Sequence, residues 1–521
     1  MNTSLAAALK QRGLALIATA ALSGCMVGPD FVKPDPPKDQ GYLPDALITE
    51  TASTNVLGGQ AQRFVSDLDI PGQWWLVFQS RPLDDLIVGA MQNNPDVQAA
   101  IAALKVTRLN ARAQRGAFFP TVGIGGTANQ YQSPNSLSPV TNTDANIFSL
   151  FTALLNITYV VDVFGGVRRQ VESLDALAEA QCFLLEATYL TLASNVVVAA
   201  VTEASLRGQI EATQRIINLQ RDTLGLLQRQ SGLGQVPGGD VATQQAALAQ
   251  VEATLPPLQK QLAQQRNLLA TLVGRMPSDA PSDRFELSML TLPQDLPLSL
   301  PSKLVEQRPD VRAAEANLHS AGAQIGVATA NQLPQIALNL SFGSTALTPA
   351  ELFGPGLVAS QVGGGFLQTV LDGGTLLARK RAAVATFEQA DAQYRSTVLT
   401  AFRNVADTLR ALEYDALTLK AQVDAERAAA VSLNIARRRL ELGDVGYLTV
   451  LTAELTYQQA VIALVQAQAS RYADTAALFQ ALGGGWWNRA ADGAADPARR
   501  AVCKAPPDAA PRKNATLSAA K

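Results

Sequence analysis

The sequence contains few of the residues that most often carry chemistry. Its 521 residues include one histidine, His319, and three cysteines, Cys25, Cys182 and Cys503. One histidine, which lies in a polar helical stretch and is expected to be solvated, cannot build a histidine-rich metal site, and three well-separated cysteines cannot build a zinc knuckle or a disulfide framework. Aromatic residues make up 6% of the chain, and the formal net charge of -2 gives no basic field for nucleic acid. We therefore expect neither a metalloprotein nor a nucleic-acid-binding protein.

Long hydrophobic runs are also scarce. The main one lies near the N-terminus, where Lys10 and Arg12 precede an apolar stretch at 14–22 that is too short for a mature membrane-spanning helix. No later run reaches the roughly 18 residues that such a helix needs, so any membrane crossing by the mature chain is expected to use strands. Abundant Ala, Leu, Gln and Val instead indicate long helices.

The first 24 residues are typical of an export signal, and residue 25 follows its cleavage site. The signal ends in Leu22-Ser23-Gly24-Cys25, which resembles a bacterial lipobox, where the cysteine is acylated and becomes the first mature residue. The alternative is an ordinary signalase site beside a buried cysteine. The lipobox resemblance implies S-diacylglycerol and N-palmitoyl groups on Cys25 and no other cofactor, and Met26 in place of Asp implies sorting to the outer membrane.

A domain-sized set of landmarks occurs twice in the same order, which predicts an internal two-fold repeat rather than an array of short repeats. The landmarks are NPDVQAA at 94–100 and RPDVRAA at 308–314, aspartate-glycine junctions from Asp162 and Asp372, Leu-Gly turns at Leu233 and Leu442, and the glycines Gly274 and Gly483. The two aspartates are expected to shape strand-to-helix junctions rather than to bind metal.

The repeat divides the chain into predicted segments. They are a signal peptide at 1–24, a lipidated N-terminal segment at 25–82, a first repeat at 83–300, a second repeat at 301–485 and a disordered tail at 486–521. Each repeat is predicted to contain an opening helix, two strands around an exposed loop, and two long helices joined by a tight turn. The opening helices are expected at about 83–117 and 301–331.

The strands are predicted from period-two patterns. In the second repeat Ile336, Leu338, Leu340 and Phe342 alternate with small or polar residues, and 151–159 alternates similarly in the first. Each of the four predicted strands is longer than the roughly 9–11 residues needed to cross a bilayer. A closed membrane barrel, however, needs about 8 strands or more. An open edge in lipid is costly, so membrane strands would have to be pooled between subunits. Two soluble hairpins packed on helices are the alternative.

The helical half of each repeat is predicted from a proline-free stretch at 167–230 and from heptad-spaced apolar residues after the turn. Pro256-Pro257 is expected to kink or open the helix that carries them. Asp240 and Thr449 occupy matching positions after the two turns and are expected to cap the second helices. Two helical hairpins with ordinary caps are the plain interpretation.

Several motifs resemble the TolC-like outer-membrane efflux proteins, in particular the lipidated OprM/NodT-type branch that serves RND pumps. They are Cys25-Met26-Val27-Gly28-Pro29-Asp30-Phe31, Trp74-Trp75 with Phe78, the paired Pro-Asp-Val helix starts, and the Leu-Gly turns with Tyr447-Leu448-Thr449-Val450-Leu451. The resemblance covers about residues 25–485. It implies an α+β membrane protein that forms a homotrimer, in which four strands per chain complete a twelve-stranded outer-membrane β-barrel continuous with a long periplasmic α-helical coiled-coil barrel.

The resemblance also implies roles for the two turns, at the periplasmic tip where an adaptor docks and the tunnel narrows. The residues assigned to adaptor docking are Gly232, Leu233, Gly234, Asp240, Gly443, Val445, Gly446 and Thr449. Leu442 and Asp444 are the candidates for the periplasmic gate, although many relatives carry their acid one position later and Asp444 equally suits an ordinary surface turn.

The function implied is the outer-membrane channel of a tripartite RND efflux pump, which exports small toxic compounds or drugs with a periplasmic adaptor (membrane fusion) protein and an inner-membrane RND pump as partners. One alternative is the outer-membrane duct of a type I protein-secretion system, which uses the same fold. Another is a structural coiled-coil lipoprotein without strands or a pore. An enzyme is not expected, because no nucleophile, base and orienting group cluster in the sequence.

Overall fold

The structure, a computed structural model, describes residues 26–37, 41–132, 147–281, 283–355 and 358–489. The predicted signal peptide, Cys25, the loop at 133–146 and the tail after residue 489 lie outside the described residues. The α-helices in the described part are α1 (Arg81–Asn93), α2 (Pro95–Arg115), α3 (Gly166–Gly232), α4 (Gly238–Leu272), α5 (Pro301–Gln307), α6 (Pro309–Ala330), α7 (Thr375–Glu441) and α8 (Tyr447–Ala481). The strands are β1 (Arg63–Ser66), β2 (Thr121–Gln132), β3 (Ile147–Val161), β4 (Asp295–Leu298), β5 (Gln335–Ala346) and β6 (Val358–Leu367).

Four strands form one antiparallel sheet in the order β2-β3-β5-β6, and a parallel pair, β1 and β4, lies elsewhere in the chain. The four strands have 12, 15, 12 and 10 residues. The central pair joins one strand of each predicted repeat, with Ile157 opposite Leu340 and Leu155 opposite Phe342. A purely structural coiled coil would have no strands, so this sheet rules out that alternative.

The long helices of the two predicted repeats have equal lengths. Both α3 and α7 contain 67 residues, and both α4 and α8 contain 35. The predicted proline-free helix at 167–230 is confirmed within α3. The expected opening at Pro256-Pro257 does not end α4, which continues through both prolines. Packing of Leu248 and Val251 against Ile216 and Ile217 holds the preceding turns of α4 in place.

Each predicted opening helix is divided in two, contrary to the expectation of one continuous helix, and its second part begins at the Pro-Asp-Val start, Pro95 in α2 and Pro309 in α6. The breaks fall at Asn94 and Arg308, whose backbones are extended because each precedes a proline. The Asn94 amide donates to the carbonyl of Leu272 at 2.9 Å, and the Arg308 guanidinium donates to that of Ala481 at 3.0 Å. At each break a side chain therefore donates a hydrogen bond to a backbone carbonyl at the C-terminal end of the last long helix in the same repeat.

The junctions from strand to long helix are shaped by aspartates, as predicted. The Asp162 carboxylate accepts from the backbone N–H groups of Val167 and Arg168, both at 3.0 Å. The Asp372 carboxylate accepts from Gly374 at 2.9 Å and Leu376 at 2.7 Å, and these backbone donors lower the pKa of Asp372. Both carboxylates thus occupy donors at helix N-termini, where negative charge is favoured.

The chain divides into two compact units. The sheet unit comprises Met1–Pro34, Leu104–Ala180 and Ala314–Tyr394, within their described residues, and contains β2, β3, β5 and β6. The helical unit comprises Asp35–Ala103, Gln181–Ala313 and Arg395–Lys521, within their described residues.

The helical unit has an aromatic core. Trp74 stacks on Phe479 with ring centroids 5.5 Å apart, and Trp486 contacts Phe183 edge-on at 5.7 Å. Trp486 is buried and the described chain continues to Arg489, so the first four residues of the predicted tail are ordered.

Two helices in the described part are long and apolar enough, by length and composition alone, to cross a membrane: α3 and α8. The expectation that no later run would reach that limit was too strict. In α3 most of the apolar window is buried inside the protein, as in the core helix of a soluble helical bundle.

Candidate functional site

The four-stranded sheet has one apolar face and one small or polar face. On the apolar face Ile157 pairs with both Val122 and Leu340, and Leu340 pairs in turn with Val362. On the other face Asn156 pairs with Gly123 and Ser341. The alternation predicted for the two central strands is therefore continued by both edge strands. The sheet can lie between an apolar and an aqueous medium.

Among the described residues, no helix covers the apolar face. Ile124 on one edge strand is 87% exposed and Val362 on the other is 83% exposed, while Phe342 in the centre is 53% exposed. A soluble protein does not leave so large an apolar sheet surface in water. This exposure is evidence against two soluble hairpins packed on helices. Both outer strands, β2 and β6, also have one unpaired edge within the described chain.

The two turns between the long helices have the same backbone structure. Gly234 and Gly443 take left-handed φ values of 73° and 74°. In the first turn the N–H of Gln235 donates to the carbonyl of Gln230 at 2.9 Å, and in the second the N–H of Asp444 donates to that of Arg439 at 2.9 Å. These are Schellman motifs, in which a glycine supplies the left-handed residue after the helix.

The residues assigned to adaptor docking lie in or beside these turns. Gly232 ends α3, Gly446 precedes α8, and Leu233 is 74% exposed. Val445 is half-buried. Among the gate candidates, Leu442 is 70% exposed. Each turn thus presents one leucine to the surroundings.

Asp240 and Thr449 are not helix N-caps, contrary to the prediction. α4 begins at Gly238 and α8 at Tyr447, so each residue is the third of its helix. Pro237 occupies the N-cap position in the first case and no side chain caps the helix. Asp240 remains favourable in the first turn, because a negative charge there faces the positive end of the helix dipole.

Asp444 forms an ion pair within its own turn. Its Oδ2 accepts from Nε of Arg439 at 2.7 Å, and both side chains are about half exposed (60% and 51%). An exposed pair of this kind contributes at most about 1 kcal/mol to stability. Asp444 can therefore exchange partners at little cost. A gate residue would need this property, and an ordinary acidic residue in a surface turn would have it as well.

Apolar packing joins the two hairpins just inside the turns. Leu227, Ala247, Tyr447 and Leu451 form a buried cluster, and Val236 of the first turn packs against it. The Tyr447 hydroxyl donates to the amide oxygen of Gln244, so the start of α8 is linked to α4. Burial raises the pKa of Tyr447, which therefore stays neutral.

A buried polar network lies next along the same helices. The Glu454 side chain is 0% exposed, and its Oε1 accepts from Arg437 at 3.2 Å and from the Thr223 hydroxyl at 3.1 Å. Arg437 also donates to Thr223 at 3.2 Å. Burial raises the pKa of Glu454, while Arg437 and Thr223 oppose that rise. The network joins α3, α7 and α8 through one carboxylate.

Sequence reasoning missed this network because it treated the helices through their apolar seams alone. Glu454 lies beside the seam residue Leu455 and one turn after Leu451. A charged residue among the apolar seam positions was therefore the sign of the network in the sequence. The identity of its partners could not be read, since Arg437 and Thr223 come from other helices.

Comparison with known proteins agrees with this arrangement. The sequence profile described as "Outer membrane efflux protein" matches residues 86–275 and 300–484, that is, once in each predicted repeat. The pyoverdine export outer membrane protein OpmQ of Pseudomonas putida is 29% identical over 422 residues, covering 80% of this chain and 89% of OpmQ. The probable efflux pump outer membrane protein TtgC of the same species is 27% identical over 484 residues, covering 91% and 96%.

Solved structures of outer-membrane channels have the same fold as this chain. The outer-membrane channel OprN superposes with a TM-score of 0.78 at 27% identity, covering 89% of this chain and 100% of OprN. The outer membrane protein VceC of Vibrio cholerae gives 0.75 at 28% identity, covering 80% and 100%. The matched regions include both halves of the chain, and its relatives are outer-membrane proteins of efflux systems. The chain belongs to the outer membrane efflux protein family.

Proposed function

We propose that this protein forms, as a homotrimer, the outer-membrane duct of a tripartite RND-type efflux pump. The observation that carries the proposal is the amphipathic four-stranded sheet with two unpaired edges. Three such sheets joined edge to edge give twelve strands, which is enough to close a barrel, whereas four are not. The apolar face then meets lipid and the polar face lines the channel.

The helices extend the duct through the periplasm. At 1.5 Å per residue, a 67-residue helix is about 100 Å long. We assign the two glycine turns to the periplasmic tip, where Leu233 and Leu442 offer exposed apolar contacts to a periplasmic adaptor. An inner-membrane RND pump supplies the energy, since a duct has no energy source of its own. The matching helix lengths support origin of the two repeats by duplication.

The N-terminus is proposed to carry the lipid anchor, with S-diacylglycerol and N-palmitoyl groups on Cys25. Two or more acyl chains hold a protein firmly on a membrane where one holds it only weakly. The anchor is an addition to the barrel rather than a replacement for it.

The cargo is proposed to be small organic compounds. Relatives are named for pyoverdine export and for efflux of antibiotics, toluene and solvents. The compounds in these names are alike in their small size and not in their chemical structure. We therefore assign the duct a lumen that admits small compounds of different structure. A type I protein-secretion duct remains the second candidate through the common fold, but no feature of the described residues favours it.

Two measurements test this function. Deletion of the gene is expected to raise susceptibility to several small toxic compounds, and the intact gene on a plasmid is expected to restore resistance. The purified protein in planar bilayers is expected to give discrete conductance steps. Unchanged susceptibility together with silent bilayers, from protein shown to be inserted, would refute an efflux duct.

The gate assignment predicts an effect of Asp444→Ala. If Asp444 gates the channel, its side chains from three chains narrow the lumen at the tip, so replacing each carboxylate with a methyl group widens the constriction. We expect a larger single-channel conductance and more leakage of a large antibiotic into cells, with little loss of stability because the Arg439 pair is exposed. Asp240→Ala, in the first turn of α4, serves as the matched control for the single-channel record. A single-channel record unchanged by Asp444→Ala would remove Asp444 from the gate.

A further inference from the structure

The first described residues of the chain are held by a buried arginine. The N–H of Val27 donates to the carbonyl of Phe164 at 3.1 Å. The Arg169 side chain, 1% exposed, donates to the carbonyls of Val27 at 3.1 Å and Gly28 at 3.2 Å, and to the Asp30 carboxylate at 2.7 Å. A buried guanidinium is costly unless its donors are satisfied, so the segment and the arginine stabilise each other.

Two glycines allow the segment to cross a helix at close range. A Cβ on Gly28 would lie 2.4 Å from the Cα of Gly326 in α6, and Gly28 has a left-handed φ of +94°. A Cβ on Gly326 would lie 2.7 Å from Cγ of Arg169 and 2.9 Å from the carbonyl oxygen of Val27. These distances are too short for any side chain at either position. The crossing therefore depends on both glycines.

The segment continues onto an aromatic contact. The ring of Phe31 stacks on that of His319 with centroids 4.3 Å apart and an interplanar angle of 16°. Nε2 of His319 lies 3.0 Å from the carboxylate of Glu172, which also accepts from Arg169 at 2.8 Å. The single histidine is thus half-buried in this contact instead of being a freely solvated residue. We call Arg169, Glu172, His319 and Gly326 the N-terminal seat.

With the two repeats exchanged, the corresponding positions in the described chain form no second seat. Arg169 is the fourth residue of α3, and the fourth residue of α7 is the exposed Ala378. The positions in α2 that correspond to His319 and Gly326 in α6 are Lys105 and Arg112. Neither of these could accept the same crossing, because both carry long charged side chains. The seat combines α3 of the first repeat with α6 of the second, and it therefore occurs once among the described residues.

We propose that Arg169 is the positioning residue that fixes where the lipid anchor enters the membrane. A residue two positions before Val27 lies within about 7.6 Å of it, because consecutive Cα atoms are 3.8 Å apart. Val27 is bound beside the end of β3, which finishes at Val161. Acyl chains on Cys25 are thereby held next to the sheet. They enter the membrane leaflet that contains the end of the sheet nearest the long helices. The proposal rests on the lipidation of Cys25 put forward above.

The test is hydrogen exchange of the full-length protein extracted from outer membranes, followed by mass spectrometry. Arg169→Gln and Gly326→Ala are expected to speed exchange at backbone amides of residues 27–34 at least tenfold, with exchange in the strands and long helices unchanged. Arg379→Gln, which removes an equal charge from the first turns of α7, is the matched control and should resemble the unmodified protein. Gly326→Ala retains the arginine and its charge but obstructs the crossing, so it remains informative if Arg169→Gln is not recovered.

Two results would overturn the proposal. One is unchanged exchange at residues 27–34 in the substituted proteins. The other is faster exchange spread through α3 and the strands, which would give Arg169 a general role in folding and no specific role in placing the N-terminus. The mass of the N-terminal peptide decides the lipid separately: an unlipidated peptide refutes lipidation, and therefore the anchor, whatever the exchange result at the seat.

Discussion

Leu340→Arg is expected to remove the protein from the outer membrane. Leu340 lies in the centre of the apolar face, opposite Ile157 and Val362. An arginine facing lipid near the bilayer midplane costs about 2–4 kcal/mol, and the proposed trimer would incur that cost three times. We expect little or no heat-modifiable oligomer in isolated outer membranes, measured by immunoblot, and loss of the resistance conferred by the gene.

Ser341→Arg is the matched control for this substitution. Ser341 is the next residue in the same strand, but it lies on the opposite face with Asn156 and Gln361 as its neighbours. If that face lines an aqueous channel, an arginine there remains hydrated and the protein assembles at near-normal levels. Equal loss from both substitutions, or none from Leu340→Arg, would show that the apolar face does not meet lipid.

Arg437→Met is expected to destabilise the tip of the helical hairpins by about 3 kcal/mol, because it leaves the buried Glu454 carboxylate without its cation. The result would appear as a lower melting temperature and faster hydrogen exchange in α7 and α8. Arg438→Met is the matched control, since Arg438 is 74% exposed and its pair with Glu441 contributes at most about 1 kcal/mol. Equal stability of the two variants would contradict the role assigned to Glu454.

The same network predicts a pH dependence. Burial raises the pKa of Glu454 above its ordinary value, so the folded protein holds that proton more tightly than the unfolded chain does. Stability contributed by the protonated form is present at low pH and is lost as pH rises through the raised pKa. Arg437→Met should therefore be more stable at pH 5.5 than at pH 7.5. Adding Glu454→Gln to Arg437→Met should abolish this difference, and its persistence would assign the effect to another group.

Much of the fold follows from sequence patterns because those patterns report which face of an element is buried. The alternation from Ile336 to Phe342 predicted the apolar face of the sheet, and the Leu-Gly motifs predicted the tight turns in which Gly234 and Gly443 take left-handed φ values. Two strands are predicted for each repeat, but only one of each pair, β3 and β5, has a clear alternation, and the edge strands β2 and β6 are the others. The pairing of β2 with β3 and of β6 with β5 extends the apolar face and the polar face across all four strands.

The features that escaped prediction have two kinds of cause, one local and one distant in sequence. Asn94 and Arg308 break their helices because a proline follows each, which a longer apolar pattern concealed. The partners of Glu454 and the contact of Phe31 with His319 join segments hundreds of residues apart or on separate helices, and periodicity contains no information about such pairings. A histidine in a polar helical stretch was assigned to solvent for that reason.

In the proposed trimer the sheet of one chain is completed by the sheets of two others. In one chain β2 and β6 are separated by β3 and β5, which places them about 14 Å apart at 4.8 Å per strand, well beyond the about 7 Å limit for a disulfide. The direct measurement is cysteine crosslinking in outer membranes, with Ile124→Cys combined in turn with Ser360→Cys, Val362→Cys and Gly364→Cys, in a Cys182→Ala, Cys503→Ala background. We predict that at least one pair yields covalent dimers and trimers under oxidising, non-reducing conditions. Only monomers from all three pairs, in protein that resides in the membrane, would contradict the account.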